Sequence, residues 1–444
     1  MKRVTAILLC VLMLLCTSLI ACGDTKGDDD EETKKPKKTK ATTIATTEAP
    51  LIQEIPSKLV PVIEVKEAIL SNLNANPVVV TLDESLGTTV ELKMHGWPTI
   101  CKGDGDTIYA AASLRVGHVD PFGATGFFVS NDGGQTWSRA RIINDTPVDD
   151  RDTGILYLGN GRILINYFTI GAESFRDGGD YEYLMDMFAT KEQASAMRKK
   201  WNAMDPADPM LRSGAWLICS DDYGQTWSEP YKAPVTAPHG PTLANDGSVL
   251  FFGGGDGGII QLHQSRDGGK TWKYRATIPT PRMPDGYHFT EAYGVQLDDG
   301  SYVVGIRCAD LSLEEGDSHS LRTYISYSKD GYNFTEAVMI EGTIGATPHF
   351  LELSNGALLL TYQYRGGRQG DDALGIRARV SYDCGKTWDE EIILSELDYV
   401  GDLGYPSTVE LSDGTLITAY YQQASRNEHP SFLYTKWKLL EPEE

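Results

Sequence analysis

The chain has 444 residues, 41% of them hydrophobic, enough to bury a large core either as two or three domains or as one large repeat fold. A formal net charge of −22 excludes nucleic acid or an anionic membrane surface as the main partner, since both recruit Lys and Arg. What remains is a neutral partner, or an anion held by a few focused arginines.

Residues 1–22 begin Lys2-Arg3, continue through a mostly apolar run and end in Leu19-Ile20-Ala21-Cys22. A basic start, a short apolar segment and small residues before a cut site describe an export signal, too short and too early for a retained membrane span. The segment resembles a bacterial lipoprotein signal. That implies lipidation of Cys22 and a protein displayed outside the cytoplasm, touching the cell membrane only through its lipid anchor. Residues 23–58 are charged and Thr-rich, and the six acids and six bases between Gly23 and Lys40 cancel. With almost nothing apolar to bury, this stretch predicts a disordered tether, and the negative charge belongs to the folded part. Of the seven cysteines, Cys101, Cys219, Cys308 and Cys384 follow the signal without any C-x-x-C pair. They read as buried thiols, and neither a metal nor another cofactor is expected.

Residues 59–75 are expected as a short helical lead-in, because Val62 to Leu73 fits one amphipathic helix; Val78 to Leu82 is a β-branched run that reads as a strand. From His95 onward an apolar strand meets a Gly turn and a second apolar strand six times, at Gly103-Asp104-Gly105, Gly159-Asn160-Gly161, Asn245-Asp246-Gly247, Asp298-Asp299-Gly300, Ser354-Asn355-Gly356 and Ser412-Asp413-Gly414. Asn-Gly and Asp-Gly between apolar runs are strong hairpin signals. In the first five units a third strand then ends in a repeated turn. It reads Ser130-Asn131-Asp132-Gly133-Gly134-Gln135-Thr136-Trp137, with copies opening at Ser220, Ser265 and Ser381 and a worn copy at Ser328. Asp and Ser side chains satisfy backbone N–H groups in such a turn, Gly supplies positive φ and Trp anchors it.

Recurrence at intervals of tens of residues signals a stacked or radial repeat. The sixth unit, Gly404 to Leu440, lacks the repeated turn, and the strand near Val78 to Leu82 is expected to pair with it and close the ring. Residues 76–440 therefore predict an all-β, six-bladed β-propeller. Trp137 and Trp227 stand twice as far apart as Trp227 and Trp272. Residues 181–205 fill much of that gap as a helical insertion in blade two, with Leu184, Met187, Phe188, Met197 and Trp201 at helical spacing. It either walls a cleft or decorates the surface.

In a propeller the first strand of each blade lines the axis, so the residues opening those strands converge. They are His95-Gly96-Trp97-Pro98, Asp149-Asp150-Arg151-Asp152, His239-Gly240-Pro241, His288 with Glu291, Pro348-His349 and Tyr405-Pro406. Val and Ile would suit buried strands; this polarity points to a site. Arg115, Arg307 and Arg365 end second strands, and each offers a planar fork for a carboxylate unless it is spent in a structural ion pair. His118, His239 and His349 suggest hydroxyl recognition or proton transfer.

Repeated S-x-D-x-G-x-T-W turns in a six-bladed frame resemble the sialidase superfamily, whose repeats are called Asp boxes, across residues 76–440. The resemblance implies an exo-acting glycoside hydrolase working on glycans outside the cell. It assigns Tyr405 as nucleophile, Glu291 as its base and Asp120 as acid/base. It makes Arg307 and either Arg365 or Arg377 the carboxylate-binding arginines, and Asp152, His239 and His349 join Arg115 as further substrate-site residues. A phenol with a pKa of ~10 is a poor nucleophile, so Glu291 must take its proton, and a neutral nucleophile suits a substrate bearing its own carboxylate. One departure stands out. Blade one opens Gly96-Trp97-Pro98 where the family has Arg-x-Pro, so one clamp arginine is missing or is supplied by Arg115 or His95. This leaves open another glycan-active enzyme, using a histidine or the Asp149/Asp150/Asp152 cluster, or a non-catalytic glycan-binding lipoprotein.

Overall fold

The computed structural model describes residues 58–176, 178–255, 258–283, 287–310, 321–365, 374–399 and 401–442. The export signal, and all but the last residue of the expected tether, lie outside them. Six four-stranded antiparallel sheets surround one axis as the blades of a propeller. Their innermost strands are Met94–Lys102, Asp149–Tyr157, Thr242–Leu243, Tyr287–Gln296, Ala346–Glu352 and Leu403–Glu410. Second strands such as Ile108–Arg115, Leu358–Tyr364 and Leu416–Gln422 are buried at every position. Sandwiched between neighbouring blades, they read in sequence as mostly apolar runs with no polar/apolar alternation along their length.

The inner strands share an irregularity. Pairing with the second strand slips at Gly96/Thr99, Arg151/Gly154, Thr290/Tyr293, Ala346/His349 and Gly404/Ser407. One residue inside each slip adopts left-handed backbone: Trp97 (φ 47°), Asp152 (49°), Glu291 (50°), Thr347 (53°) and Tyr405 (54°). Among its described residues blade three shows no such slip; just before its inner strand it carries the left-handed Gly240 (φ 80°), where any Cβ would run into Asn166. A bulge re-aims a side chain, and a non-glycine residue held left-handed costs ~1–3 kcal/mol that packing must offset.

The five repeated turns lie at the opposite face. Gly134 donates to Ser130 Oγ at 2.8 Å and Thr136 N to Asp132 Oδ1 at 2.9 Å; the copies at Ser220, Ser265 and Ser381 repeat both bonds. In the worn copy the Asn333 amide replaces the Thr hydroxyl on Asp330, at 2.8 Å. The turns of blades three, four and five are each gripped by the preceding blade. Arg162 donates to Gly268 O at 2.9 Å, Arg275 to Asp330 O at 2.7 Å and the Tyr327 hydroxyl to Gly385 O at 2.6 Å.

Several expectations are corrected. The lead-in is a strand, Val60–Ser71, antiparallel to Ser431–Leu440, and it closes the ring as the outermost strand of blade six. Val60, Val62, Ile63 and Val65 are β-branched and stiff in a helix, and the open edge of the C-terminal strand offers them backbone hydrogen-bond partners, in a ladder interrupted at three places. Val78–Asp83 does not pair with the last blade; it forms a separate hairpin with Thr88–Leu92. The insertion is wider than expected. Helices Ala172–Phe175, Glu182–Phe188 and Lys191–Ala203 and a 3-10 turn Pro209–Leu211 lie between the second and third strands of blade two. Leu184, Met185, Met197 and Trp201 pack with Val90 and Leu92 of the hairpin, leaving Met187 exposed. The four cysteines are free, but only Cys308 is buried and the other three are half-buried.

Candidate active site

At the face away from the repeated turns, three side chains from three strands meet. The Tyr405 hydroxyl donates to Glu291 Oε1 at 2.8 Å, and Arg307 Nη1 donates to the same oxygen at 2.5 Å. Tyr405 and Glu291 point inward because each sits at a left-handed bulge, while Arg307 arrives from the second strand beside Glu291. Burial, then Glu291 and Asp152, push the Tyr405 phenol well above its ordinary pKa. No phenolate stands ready, so attack by this oxygen requires Glu291 to accept the proton as the bond forms.

Asp152 opens blade two at the same level. It is 8% exposed, and its Oδ1 has no hydrogen-bond partner among the described residues. Burial, reinforced by Glu291 and Asp149 against the pull of Arg151 and Arg115, pushes its carboxyl up to about 7. The result is an acid that holds its proton near neutrality beside a carboxylate neutralised by a guanidinium. A carboxyl raised toward neutrality by burial is suited to donate a proton.

Three expected site residues are spent elsewhere. Arg115 is fully buried, with Asp149 at 2.7 Å and Asp120 at 3.2 Å. Asp120 also accepts from the backbone N–H of Val116, Gly117 and Phe122, so it buckles the loop it lies in and cannot reach a sugar. Arg377 is 3% exposed on a third strand, bound to Glu391 at 3.2 Å and Ser395 O at 2.8 Å, away from the axis. Arg365 does reach the axis, donating to Leu403 O at 2.7 Å and the Tyr421 hydroxyl at 3.0 Å.

Trp97 stands where the resemblance expects an arginine. It is 1% exposed, edge-on to His118 at 5.1 Å, with the Arg151 guanidinium 4.1 Å and that of Arg115 4.8 Å from its ring. His95 is fully buried against Ser71, and neither it nor Arg115 supplies the missing cation. His239 and His349 form the floor, ring centroids 5.2 Å apart, with Tyr293 stacked on His349 at 4.6 Å. Burial lowers His239 to about 3 and His349 well below its usual value, so both stay neutral near pH 7 and serve hydrogen bonding rather than proton transfer. Beneath them the axis continues as a cavity of about 350 Å³ lined by Cys101, Ile155, Val295 and Leu351 among others. Among the described residues no three His, Cys, Asp or Glu side chains are grouped to hold a metal.

Asp402 and Tyr421 are axis residues that sequence reasoning missed. Asp402 precedes the inner strand of blade six as Asp149 and Asp150 open that of blade two, which was the available signal.

A family profile for the BNR/Asp-box repeat matches residues 128–139. No curated protein matches the sequence. Among solved structures, a protein of unknown function from Dyadobacter fermentans is 21% identical with a TM-score of 0.63, over 85% of this chain and 99% of its own. The Hadza microbial sialidase Hz136 is 19% identical with a TM-score of 0.53, over 78% of this chain and 66% of its own. The intramolecular trans-sialidase from Ruminococcus gnavus is 16% identical with a TM-score of 0.53, over 80% and 96%. Six blades, five serine–aspartate turns and these neighbours together make the chain an Asp-box β-propeller with the fold of the sialidase superfamily.

Proposed function

We propose that the chain is an exo-acting glycoside hydrolase of the sialidase type, exported and held outside the cytoplasm by a lipid on Cys22. The observation that carries the reading is the Tyr405 hydroxyl on Glu291, with Asp152 beside them at the axis. Asp152 takes the proton-donor role expected of Asp120. In the first step Tyr405 Oη bonds to the anomeric carbon, Glu291 takes the phenolic proton, the glycosidic C–O bond breaks and Asp152 protonates the departing oxygen. In the second, water attacks the same carbon, Asp152 takes its proton, and Tyr405 leaves and recovers its proton from Glu291.

A panel of aryl glycosides tests this. Tyr405→Phe should cut kcat by at least ~10³-fold while leaving binding near normal, because only a hydroxyl is lost. Full activity in Tyr405→Phe would exclude it as the nucleophile. Replacing Cys22 by Ser should move the protein from the membrane fraction to the soluble fraction, and unchanged retention would exclude the anchor.

A further inference from the structure

The axis carries one carboxylate that this reaction does not use. Asp402 bridges three partners: Oδ2 accepts from His118 Nδ1 at 2.7 Å, and Oδ1 from the Tyr421 hydroxyl at 2.7 Å and Arg365 Nη2 at 3.3 Å. Burial alone would raise this carboxyl, but His118, Arg365 and Tyr421 outweigh it and hold it well below the usual range. Burial also lowers His118, so near neutral pH the imidazole donates as a neutral ring and Arg365 supplies the countercharge. The other guanidinium facing the axis, Arg307, is already paired with Glu291. Among the described residues, both guanidiniums exposed at this axis therefore have a protein carboxylate within 3.3 Å, and Trp97 fills the third position.

We propose that the sugar taken by this axis carries no carboxylate, and that Asp402 determines this specificity by permanently filling the place beside Arg365 that an acidic sugar would need. The inference rests on the axis being a glycosidase site and concerns what it accepts.

An acidic sugar would have to displace Asp402 from Arg365 or lie uncompensated beside it. Like charges brought together in a partly buried site repel one another more strongly than in water. The unsatisfied atoms point the same way. Among the described residues, Glu291 Oε2 is a buried acceptor without a partner, Asp152 Oδ1 is a buried carboxyl oxygen without one, and Arg307 Nε and Arg365 Nε are buried donors without partners. A polyhydroxylated neutral ring offers hydroxyls to both kinds, whereas a carboxylate would set more acceptors against acceptors. The tyrosine is accounted for without an acidic substrate, since a carboxylate in its place would face the Glu291 carboxylate, which lies 2.8 Å from the Tyr405 hydroxyl.

The test compares ligands that differ only in charge: glucuronic acid with glucose, galacturonic acid with galactose, and a methyl sialoside with its methyl ester, each titrated into the wild-type protein by calorimetry. The neutral member of at least one pair should bind, ~10-fold or more tighter than its acidic counterpart. In Asp402→Asn that ratio should fall by ~10-fold or reverse, with the melting temperature confirming a folded variant. Tighter binding of an acidic member to the wild type, an unchanged ratio in Asp402→Asn, or no binding of any neutral member overturns the inference. These binding ratios do not depend on turnover. Loss of the glycosidase reading would show separately, as full activity in Tyr405→Phe.

Discussion

Asp152 is held in a left-handed backbone and in a protonated state that an unfolded chain would not favour. Its folded pKa of about 7 lies above the unfolded value of ~4, so the folded state binds the proton more tightly. Its contribution to stability is therefore fully present below pH ~4 and is lost as pH rises through about 7. Asn mimics the neutral acid. Asp152→Asn should match the wild type at pH 4 and exceed it at pH 8, by up to ~4 kcal/mol in urea unfolding, while abolishing turnover. Equal stability at pH 8 would mean that the carboxylate is not penalised there. Arg115→Ala should behave oppositely. It leaves Asp120 buried without a guanidinium and Asp149 with only that of Arg151, at 3.3 Å, which costs ~3–5 kcal/mol. The sequence contained both arginines at equivalent strand ends, Arg115 and Arg307, yet only Arg307 is open at the axis. Spacing reports which strand end a residue occupies. Whether that end is dry depends on loop residues such as Gly117 and Asp120, whose path the spacing does not encode.

At the scale of strands and turns, the repeated turn was the most legible element, because its partners lie within the turn and each bond repeats with its copy. Asp222 shows the opposite linkage from Asp152. Hydrogen bonds from Thr226 and Ser220 hold its carboxyl down to about 2, so its contribution is present above pH ~4 and fades as pH falls through about 2. Asp222→Ala should therefore move the onset of acid unfolding to higher pH, and an unchanged acid limb would show that the turn carries no stability of its own. The edge strand was misread for a related reason. Val62 to Leu73 satisfies a helical period, but its partner Ser431–Leu440 lies at the other end of the chain, and pairing across that distance leaves no local mark.

For the whole molecule that pairing is the clasp, because it joins the first described strand to the last and turns a row of blades into a closed ring. A chain beginning at residue 58 should melt like the full protein. One beginning at residue 72 should melt at lower temperature and associate on size exclusion through the exposed Ser431–Leu440 edge. Monomeric behaviour at unchanged melting temperature would show that closure does not depend on this strand. The five bulges have another consequence. Five blades each present one residue to the centre from the same backbone slip, and Trp, Asp, Glu, Thr and Tyr all stand at that position in this one chain. The frame thus holds indole, carboxyl, hydroxyl and phenol side chains at these five places without a change of architecture, whereas at Gly240 of blade three a Cβ would run into Asn166. The architecture of the blades then says little about the ligand, and the five central positions are where two rings on one frame can differ in chemistry.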